Sequence, residues 1–257
     1  MNKTKWHYLE QYIASSVHKV TINLVGCGGT GTHVLTNLAM MNHSLVKLGR
    51  QPLFVRVWDP DIVSEHNIGR QLFSPVDIGA YKAEILVTRI NRFYGLQWTS
   101  MPQLFPSNTI WDRDGNGANF TISCVDTVKA RKKIAKINPN NGHNSHYSSS
   151  YYWLDIGNNK DSGQILLGTF KPIDQPKGHF NRMLPLFTDE FPKAKDNKTE
   201  PSCSMAEALA SQDLFINKFM AICATHMLWD LLINYRINYR GIYVNLKDIR
   251  TSKLLLT

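Results

Sequence analysis

A glycine-rich turn near the N-terminus limits the possible folds of this chain more than any other feature of its sequence. The hexapeptide GCGGTG, Gly26–Gly31, follows a β-rich run, Lys19–Val25, and precedes the apolar spacing of an amphipathic helix that ends at Gly49. In such a unit the glycines permit a tight turn and close approach of a ligand, while the helix N-terminus offers free N–H groups to phosphate. Many glycine turns are only turns, but this position predicts a nucleotide-binding site.

Strands and helices alternate through the first 140 residues. This βαβα order implies a mostly parallel sheet with helices on both faces. The predicted fold class is therefore α/β, with a Rossmann-like, mostly parallel sheet flanked by helices. The predicted strands are 19–25, 52–58 and 120–125, and the predicted helices follow at 34–48, 83–93 and 127–137.

The second half has a different pattern, which predicts a mixed C-terminal part of the same domain. Two strands joined by a polar turn are followed by a proline-rich stretch, a long apolar helix that we expect to be buried, and a closing hairpin. The predicted elements are strands at 151–156 and 164–170, a crossover loop at 171–202, a helix from about 204 to 236, and hairpin strands at 241–246 and 253–256. We expect residues 1–257 to form one domain, with a nucleotide-binding half at 19–137 and a second half at 138–257.

Charged and polar residues that follow the second predicted strand narrow the chemistry. Asp59 ends that strand, where an acidic residue binds ribose hydroxyls in dinucleotide-binding folds. The alternative for Asp59-Pro60-Asp61 is a turn with an Asx cap. Downstream come Arg70 and Lys82, which a hydride-transfer enzyme does not need beside its phosphates. An enzyme that attacks an α-phosphate and expels pyrophosphate does need such cations, together with a carboxylate that binds metal.

Taken together, the motifs from Val25 to Arg131 resemble the ThiF/MoeB and ubiquitin-activating-enzyme superfamily. That pattern is GxGGxG, D-x-D, N-x-x-R-Q, a downstream Lys, and an Asp with an Arg at the fifth position after it. The chain is most similar to the short ThiF-like proteins of PRTRC gene systems. The resemblance implies an ATP site and assigns Asp126 to Mg²⁺. The residues that it assigns to the nucleotide are Gly26, Gly28, Gly29, Gly31, Asp59, Asp61, Asn67, Arg70, Gln71, Lys82 and Arg131.

The resemblance also implies an activity and partners. We expect ATP-dependent adenylation of the C-terminal carboxylate of a ubiquitin-like or sulfur-carrier-like small protein that ends in Gly. Arg70, Lys82 and Asp126 are the expected catalytic residues for that step. A homodimer and a conjugating-enzyme-like acceptor are further implied partners. The sequence departs from the family at Thr127, where Asn is common, and in having no Arg before Arg50, where many relatives supply an N-terminal Arg to the neighbouring subunit.

Cys203 is the expected acceptor in a second catalytic step. It lies in Pro201-Ser202-Cys203-Ser204, just before the long helix, and Ser204 to Glu207 has capping-box spacing. A helix N-terminus can lower the pKa of a thiol and make it nucleophilic at neutral pH. This setting resembles that of the thioester cysteine of activating enzymes. The alternative is a small residue in a helix-start turn.

The other three cysteines are expected to be packing residues. Cys27 lies inside the glycine turn, Cys124 in a strand and Cys223 on the long helix. No CxxC pair exists, so no structural zinc is expected. The sequence has neither a signal peptide nor about eighteen uninterrupted apolar residues, which predicts a cytoplasmic protein without a membrane partner.

The net charge of +9, from 29 Lys+Arg and 20 Asp+Glu, suits an anionic nucleotide, an acidic protein or nucleic acid. The basic residues between Lys129 and Lys136 spread around a helix without interleaved aromatic residues, so a nucleic-acid partner is disfavoured. Two other functional classes stay open at this point. One is a nicotinamide or flavin oxidoreductase that uses the same glycine turn. The other is a basic DNA-associated protein with a degenerate nucleotide fold.

Overall fold

One mixed sheet of eight strands organises the computed structural model, which describes residues 4–15, 17–106, 117–137, 149–178, 180–184 and 212–256. The strands of this sheet and of a two-stranded sheet beside it are β1 His7–Tyr8, β2 Val20–Val25, β3 Leu53–Trp58, β4 Thr99–Met101, β5 Phe120–Ser123, β6 Tyr152–Asn158, β7 Ser162–Thr169, β8 Arg236–Ile237, β9 Tyr239–Asn245 and β10 Arg250–Leu255. The helices are α1 Gln11–Ala14, α2 Gly29–Lys47, α3 Lys82–Tyr94, α4 Val128–Ile134 and α5 Ile216–Asn234.

The strand order β10-β9-β7-β6-β5-β2-β3-β4 divides the sheet into two parts. From β6 to β4 every neighbouring pair is parallel, whereas β7, β9 and β10 join by antiparallel pairing. The chain first builds outward from β2 to β3 and β4, and then returns to add β5 on the other side of β2. This reversal is a topological switch point, where ligands of open α/β sheets bind. The predicted α/β fold class is confirmed.

The core lies on both faces of the parallel strands. All six residues of β2 are buried, as expected for a strand that helices cover on both sides. The apolar spacing predicts a buried stripe on α2 at Val34, Leu38, Met41, Leu45 and Leu48. The first four are buried, whereas Leu48 is 59% exposed because the helix has already ended at Lys47. For α3 the same spacing predicts buried positions at Ala83, Leu86, Ile90 and Phe93. The prediction is wrong for Phe93, which is 81% exposed, because the buried face includes Val87 instead.

Helix α5 packs beside α2 and is buried around most of its circumference. Its exposed positions before the last residue, Lys218, Ile222 and His226, follow a spacing of four residues and form one narrow stripe in contact with solvent, and the terminal Asn234 is exposed as well. By length and composition α5 could also cross a membrane, but 56% of the relevant window is buried inside this protein. The helix ends at Asn234, slightly before the predicted end at 236, because Tyr235 adopts left-handed backbone with φ 55°. The prediction of a helix from about 204 is wrong at residues 212–215, which form a bend and a turn, so that α5 begins only at Ile216. Residues 204–211 lie outside the described residues.

The antiparallel part confirms the predicted strand pairs of the second half. Strands β6 and β7 form a hairpin in which Leu154 faces Leu167, and β9 and β10 form the closing hairpin. Strands β1, β4 and β8 and helix α1 were not predicted from the sequence. Each contains two to four residues. Such short segments carry too little periodicity to be recognised without their tertiary neighbours.

Candidate nucleotide-binding site

The glycine turn lies at the switch point, where its glycines meet three different surroundings. Gly26 has φ +92°, and a Cβ there would lie 2.9 Å from the carbonyl oxygen of Cys124, which follows β5. A Cβ on Gly31 would overlap the Gly26 carbonyl oxygen, so this glycine allows α2 to pack against the turn. At Gly28, by contrast, a Cβ would meet no atom of the described chain within 4 Å. The second glycine therefore faces open space, where the fold class brings phosphate close to the backbone.

Both carboxylate oxygens of Asp59 accept hydrogen bonds from backbone N–H groups, and one of these groups belongs to the glycine turn. Oδ2 accepts a hydrogen bond from the Cys27 N–H, and Oδ1 accepts one from the Asp61 N–H at 2.8 Å. Burial raises the pKa of the Asp59 carboxyl, and these backbone hydrogen bonds oppose that shift. Asp59 directly follows β3, the second strand of the parallel part, as the sequence predicts. Each carboxylate oxygen has a further lone pair, so the predicted ribose contact is compatible with this geometry and stays a prediction.

Lys82 begins α3 with its side chain pointed back to the loop after β3. Its Nζ lies 3.0 Å from Asp61 Oδ2, and its N–H donates to the Asp61 carbonyl oxygen at 2.9 Å. The Lys82 side chain is 8% exposed, whereas that of Asp61 is 64% exposed. A buried ammonium paired with one exposed carboxylate can exchange that partner for a phosphate, because the ammonium keeps an anionic partner.

The predicted N-x-x-R-Q residues have three different environments. Asn67 caps the 3₁₀ turn Glu65–Asn67, because its Oδ1 accepts from the N–H and hydroxyl of Ser64. Arg70 donates from Nη2 to Gln212 Oε1 at 3.0 Å. The Oε1 atom of Gln71 is buried without a hydrogen-bond partner among the described residues. A buried carbonyl oxygen in this position is costly unless a donor reaches it.

Asp126 and Arg131 bracket the start of α4. Asp126 is exposed, and no ion pair within the described ranges includes it. It follows the end of β5, which runs parallel to β2, so its backbone lies at the same carboxyl edge of the sheet as the glycine turn. An exposed carboxylate is a suitable oxygen ligand for Mg²⁺, which usually binds one or two carboxylates together with substrate phosphates.

Arg131 points instead into the protein. Its Nε lies 3.0 Å and 3.1 Å from the two carboxylate oxygens of Asp155, and Nη2 donates to the Ile156 carbonyl oxygen at 3.2 Å. Asp155 also accepts from the Ser123 hydroxyl at 2.6 Å. Burial raises the pKa of Asp155, and the guanidinium opposes that shift. Arg131 therefore joins α4 to β6, and its predicted nucleotide contact stays a prediction.

A cluster of polar side chains beside the turn was missed by the sequence analysis. Asn217, in the first turn of α5, accepts from the Thr30 hydroxyl at 2.9 Å and from Asn158 Nδ2 at 3.3 Å. Its own Nδ2 donates to Gln212 Oε1 at 3.0 Å. The available signal was an asparagine in a largely apolar helix, because a buried asparagine needs hydrogen-bond partners.

The described cysteines are packed thiols, as the sequence predicts. Burial raises the pKa of Cys27 well above its ordinary value, and it also raises those of Cys124 and Cys223. Such thiols are poor nucleophiles at neutral pH. Cys203, the predicted acceptor, lies outside the described residues. Among the residues that the structure describes, no group of three or more His, Cys, Asp or Glu side chains could hold a metal ion.

The fold and site define a doubly wound α/β protein with an open glycine turn at the switch point and basic side chains beside it. Its sequence matches the ThiF family over residues 8–254, and the chain belongs to that family. It is 26% identical over 201 residues to the ubiquitin-like modifier-activating enzyme 6 of Mus musculus and 25% identical to that of Homo sapiens. The match covers 75% of this chain but only 16% of each relative.

Solved structures of low sequence identity share the fold. PaaA superposes with a TM-score of 0.59 at 18% identity, covering 92% of this chain and 64% of PaaA. E. coli MccB with MccA-N7isoASN gives 0.57 at 14% identity, covering 95% and 66%. E. coli MccB with ATP gives 0.53 at 14% identity, covering 95% and 65%. The Rossmann-like core therefore persists where the sequences have diverged widely.

Proposed function

We propose that this protein is an ATP-dependent adenylating enzyme that activates the carboxylate of a small protein or peptide. The observation that carries the proposal is the open space at Gly28, at the switch point of a ThiF-family fold. The cations that the chemistry requires lie on the adjoining elements. Lys82 starts α3, and Arg70 connects to the turn through Gln212 and Asn217.

The proposed reaction begins with attack of a substrate carboxylate oxygen on the α-phosphorus of ATP. A new P–O bond forms to the acyl oxygen, the bond from the α-phosphorus to the bridging oxygen breaks, and pyrophosphate leaves with the electron pair. Negative charge grows on the phosphate oxygens, so Arg70 and Lys82 stabilise the transition state electrostatically. Bound Mg²⁺, for which Asp126 is the proposed ligand, would neutralise charge on the leaving phosphates.

The proposed substrate is the C-terminal glycine of a ubiquitin-like or sulfur-carrier-like small protein. The similarity to ubiquitin-like modifier-activating enzyme 6 supports this class, and the complex of the structural neighbour MccB with MccA supports a small peptide or protein substrate. In a second step, we propose that the Cys203 thiolate attacks the acyl carbonyl carbon, a thioester forms and AMP leaves. A conjugating-enzyme-like protein would then accept the acyl group from that thioester.

We also propose that the enzyme is a homodimer. Four large apolar side chains that are exposed on the segment after β3 support this. They are Ile62 at 49%, Leu72 at 44%, Val76 at 89% and Ile78 at 46% exposed. Light scattering should give twice the monomer mass of 29.3 kDa, and Val76→Asp should give the monomer mass. A monomeric wild-type protein would contradict this part of the proposal.

The test of the activity is exchange of labelled pyrophosphate into ATP in the presence of candidate small proteins that end in Gly. Exchange should need the small protein and Mg²⁺. Asp126→Ala should abolish it, whereas Cys203→Ala should leave it intact because thioester formation follows adenylation. Mass spectrometry should then detect the acyl group on Cys203 in the wild type only. Lack of exchange with every small protein and small carboxylate tested would refute the enzyme assignment.

A further inference from the structure

The side chain of Asn217 packs directly against the glycine turn. A Cβ on Gly29 would lie 2.5 Å from Asn217 Nδ2, so the carboxamide covers that glycine while Gly28 remains open. Asn217 is 7% exposed and is fixed by hydrogen bonds from Thr30 of α2 and Asn158 of β6. Its position relative to the turn is therefore determined by two separate elements of the core.

Gln212 connects the side chain of Asn217 to that of Arg70. Its Oε1 atom accepts from Asn217 Nδ2 and from Arg70 Nη2, each at 3.0 Å. A carbonyl oxygen has two lone pairs, so these two donors use its full capacity. The guanidinium of Arg70 is thus tied to the glycine turn through two carboxamides, although Arg70 and Gln212 are 142 residues apart in the chain.

We propose that Gln212 is a positioning residue for Arg70, held in place by Asn217, and that it aims the guanidinium at the triphosphate. The inference rests on the proposed function and adds a residue that neither the motifs nor the family assignment identifies. The neutral carboxamide suits this task because it orients the guanidinium without cancelling its charge. A carboxylate in the same place would form a charge-assisted pair with Arg70 and compete with phosphate for it.

The test measures the affinity for ATP by isothermal titration calorimetry, with pyrophosphate exchange as the second readout. Gln212→Glu should weaken ATP binding about tenfold, and Gln212→Ala about threefold, because the first variant neutralises Arg70 and the second only releases it. Gln97→Glu is the matched control. Gln97 is exposed and precedes β4 at the opposite end of the parallel strands, so the same charge change there should leave ATP binding unchanged.

A double-mutant cycle separates positioning from general damage to the fold. In the Arg70→Ala background, Gln212→Glu should change ATP affinity less than twofold, since its effect acts through the guanidinium. If Gln212→Glu binds ATP as tightly as the wild type does, this inference is wrong and the proposed function still stands. The same holds if Gln212→Glu weakens ATP binding equally in the wild-type and Arg70→Ala backgrounds. If the wild type binds no ATP, the proposed function fails and this inference fails with it.

Discussion

Protonation of His7 is expected to destabilise the folded protein as the pH falls below about 6.5. His7 is fully buried, with Nδ1 3.0 Å from the Arg182 carbonyl oxygen and Nε2 3.0 Å from the Tyr152 hydroxyl. Since a carbonyl can only accept, Nδ1 carries the proton and Nε2 accepts from Tyr152. The Tyr152 oxygen in turn accepts from the Glu10 N–H at 2.9 Å. A second proton on the ring would break this chain of hydrogen bonds.

The size of the effect follows from the pKa of His7. Burial lowers it from 6.5 to about 4, and the hydrogen bond to Arg182 opposes the shift. Because the folded-state pKa is below the unfolded one, the unfolded chain binds the proton first. The stabilising contribution is therefore complete above pH 6.5 and is lost progressively down to about pH 4. The whole pKa difference between the folded and unfolded chain corresponds to about 3 kcal/mol in the free energy of unfolding, of which about 2 kcal/mol is lost between pH 7 and pH 5.

Urea unfolding at pH 7 and pH 5, followed by circular dichroism, measures this contribution. The variant His7→Asn keeps a side-chain donor for Arg182 but does not titrate. It should be less stable than the wild type at pH 7, because the hydrogen bond to Tyr152 is lost. Between pH 7 and pH 5 its free energy of unfolding should fall by about 2 kcal/mol less than that of the wild type. Carboxylates titrate in both proteins and cancel in the comparison. Equal pH dependence of variant and wild type would refute the reasoning.

Two further predictions concern the glycine turn and α4. Gly31→Ala should lower the free energy of unfolding by about 2 kcal/mol or more because a Cβ overlaps the Gly26 carbonyl, whereas Gly28→Ala should leave the melting temperature unchanged and weaken ATP binding. Calorimetry measures both the stability and the ATP affinity of these variants. Equal ATP affinity of Gly28→Ala and the wild type would argue against a phosphate at Gly28. Arg131→Met should cost about 3–5 kcal/mol because it leaves the buried Asp155 carboxylate unpaired. Restoration of stability in urea by a second change, Asp155→Leu, would support that cause, and a loss below 1 kcal/mol would exclude it.

Local patterns predicted most of the secondary structure of the parallel part. The alternation of apolar runs with helical spacing identified β2, α2, β3 and α3, and the glycine hexapeptide located the turn between the first two of them. These signals are local because backbone geometry sets their periods of two and 3.6 residues. The same reasoning misassigned Phe93, since periodicity finds a stripe but not which edge of it the neighbouring helix covers.

The sequence placed several candidate residues near the glycine turn, but it did not give their hydrogen-bond partners, and their roles stay predictions. Asp59 and Lys82 are beside the turn as expected. The bond from the Asp61 N–H to Asp59 Oδ1 is the Asx turn that the sequence offered as an alternative, whereas the bond from the Cys27 N–H to Oδ2 was not predicted. Gln212 and Asn217 carry no motif, because their importance comes from partners far away in the chain. Arg131 fits the family pattern in sequence, while its contacts with Asp155 depend on the pairing of β5 with β6.

By itself the sequence determined the α/β class, the position of the glycine turn and the residue types available around it, since these depend on local periodicity and turn chemistry. The tertiary structure decided which of those residues meet. The pairs Arg70–Gln212, Thr30–Asn217 and His7–Tyr152 each join segments more than 140 residues apart. Contacts of that kind form only when strand order and helix packing bring the segments together, and no local pattern encodes them.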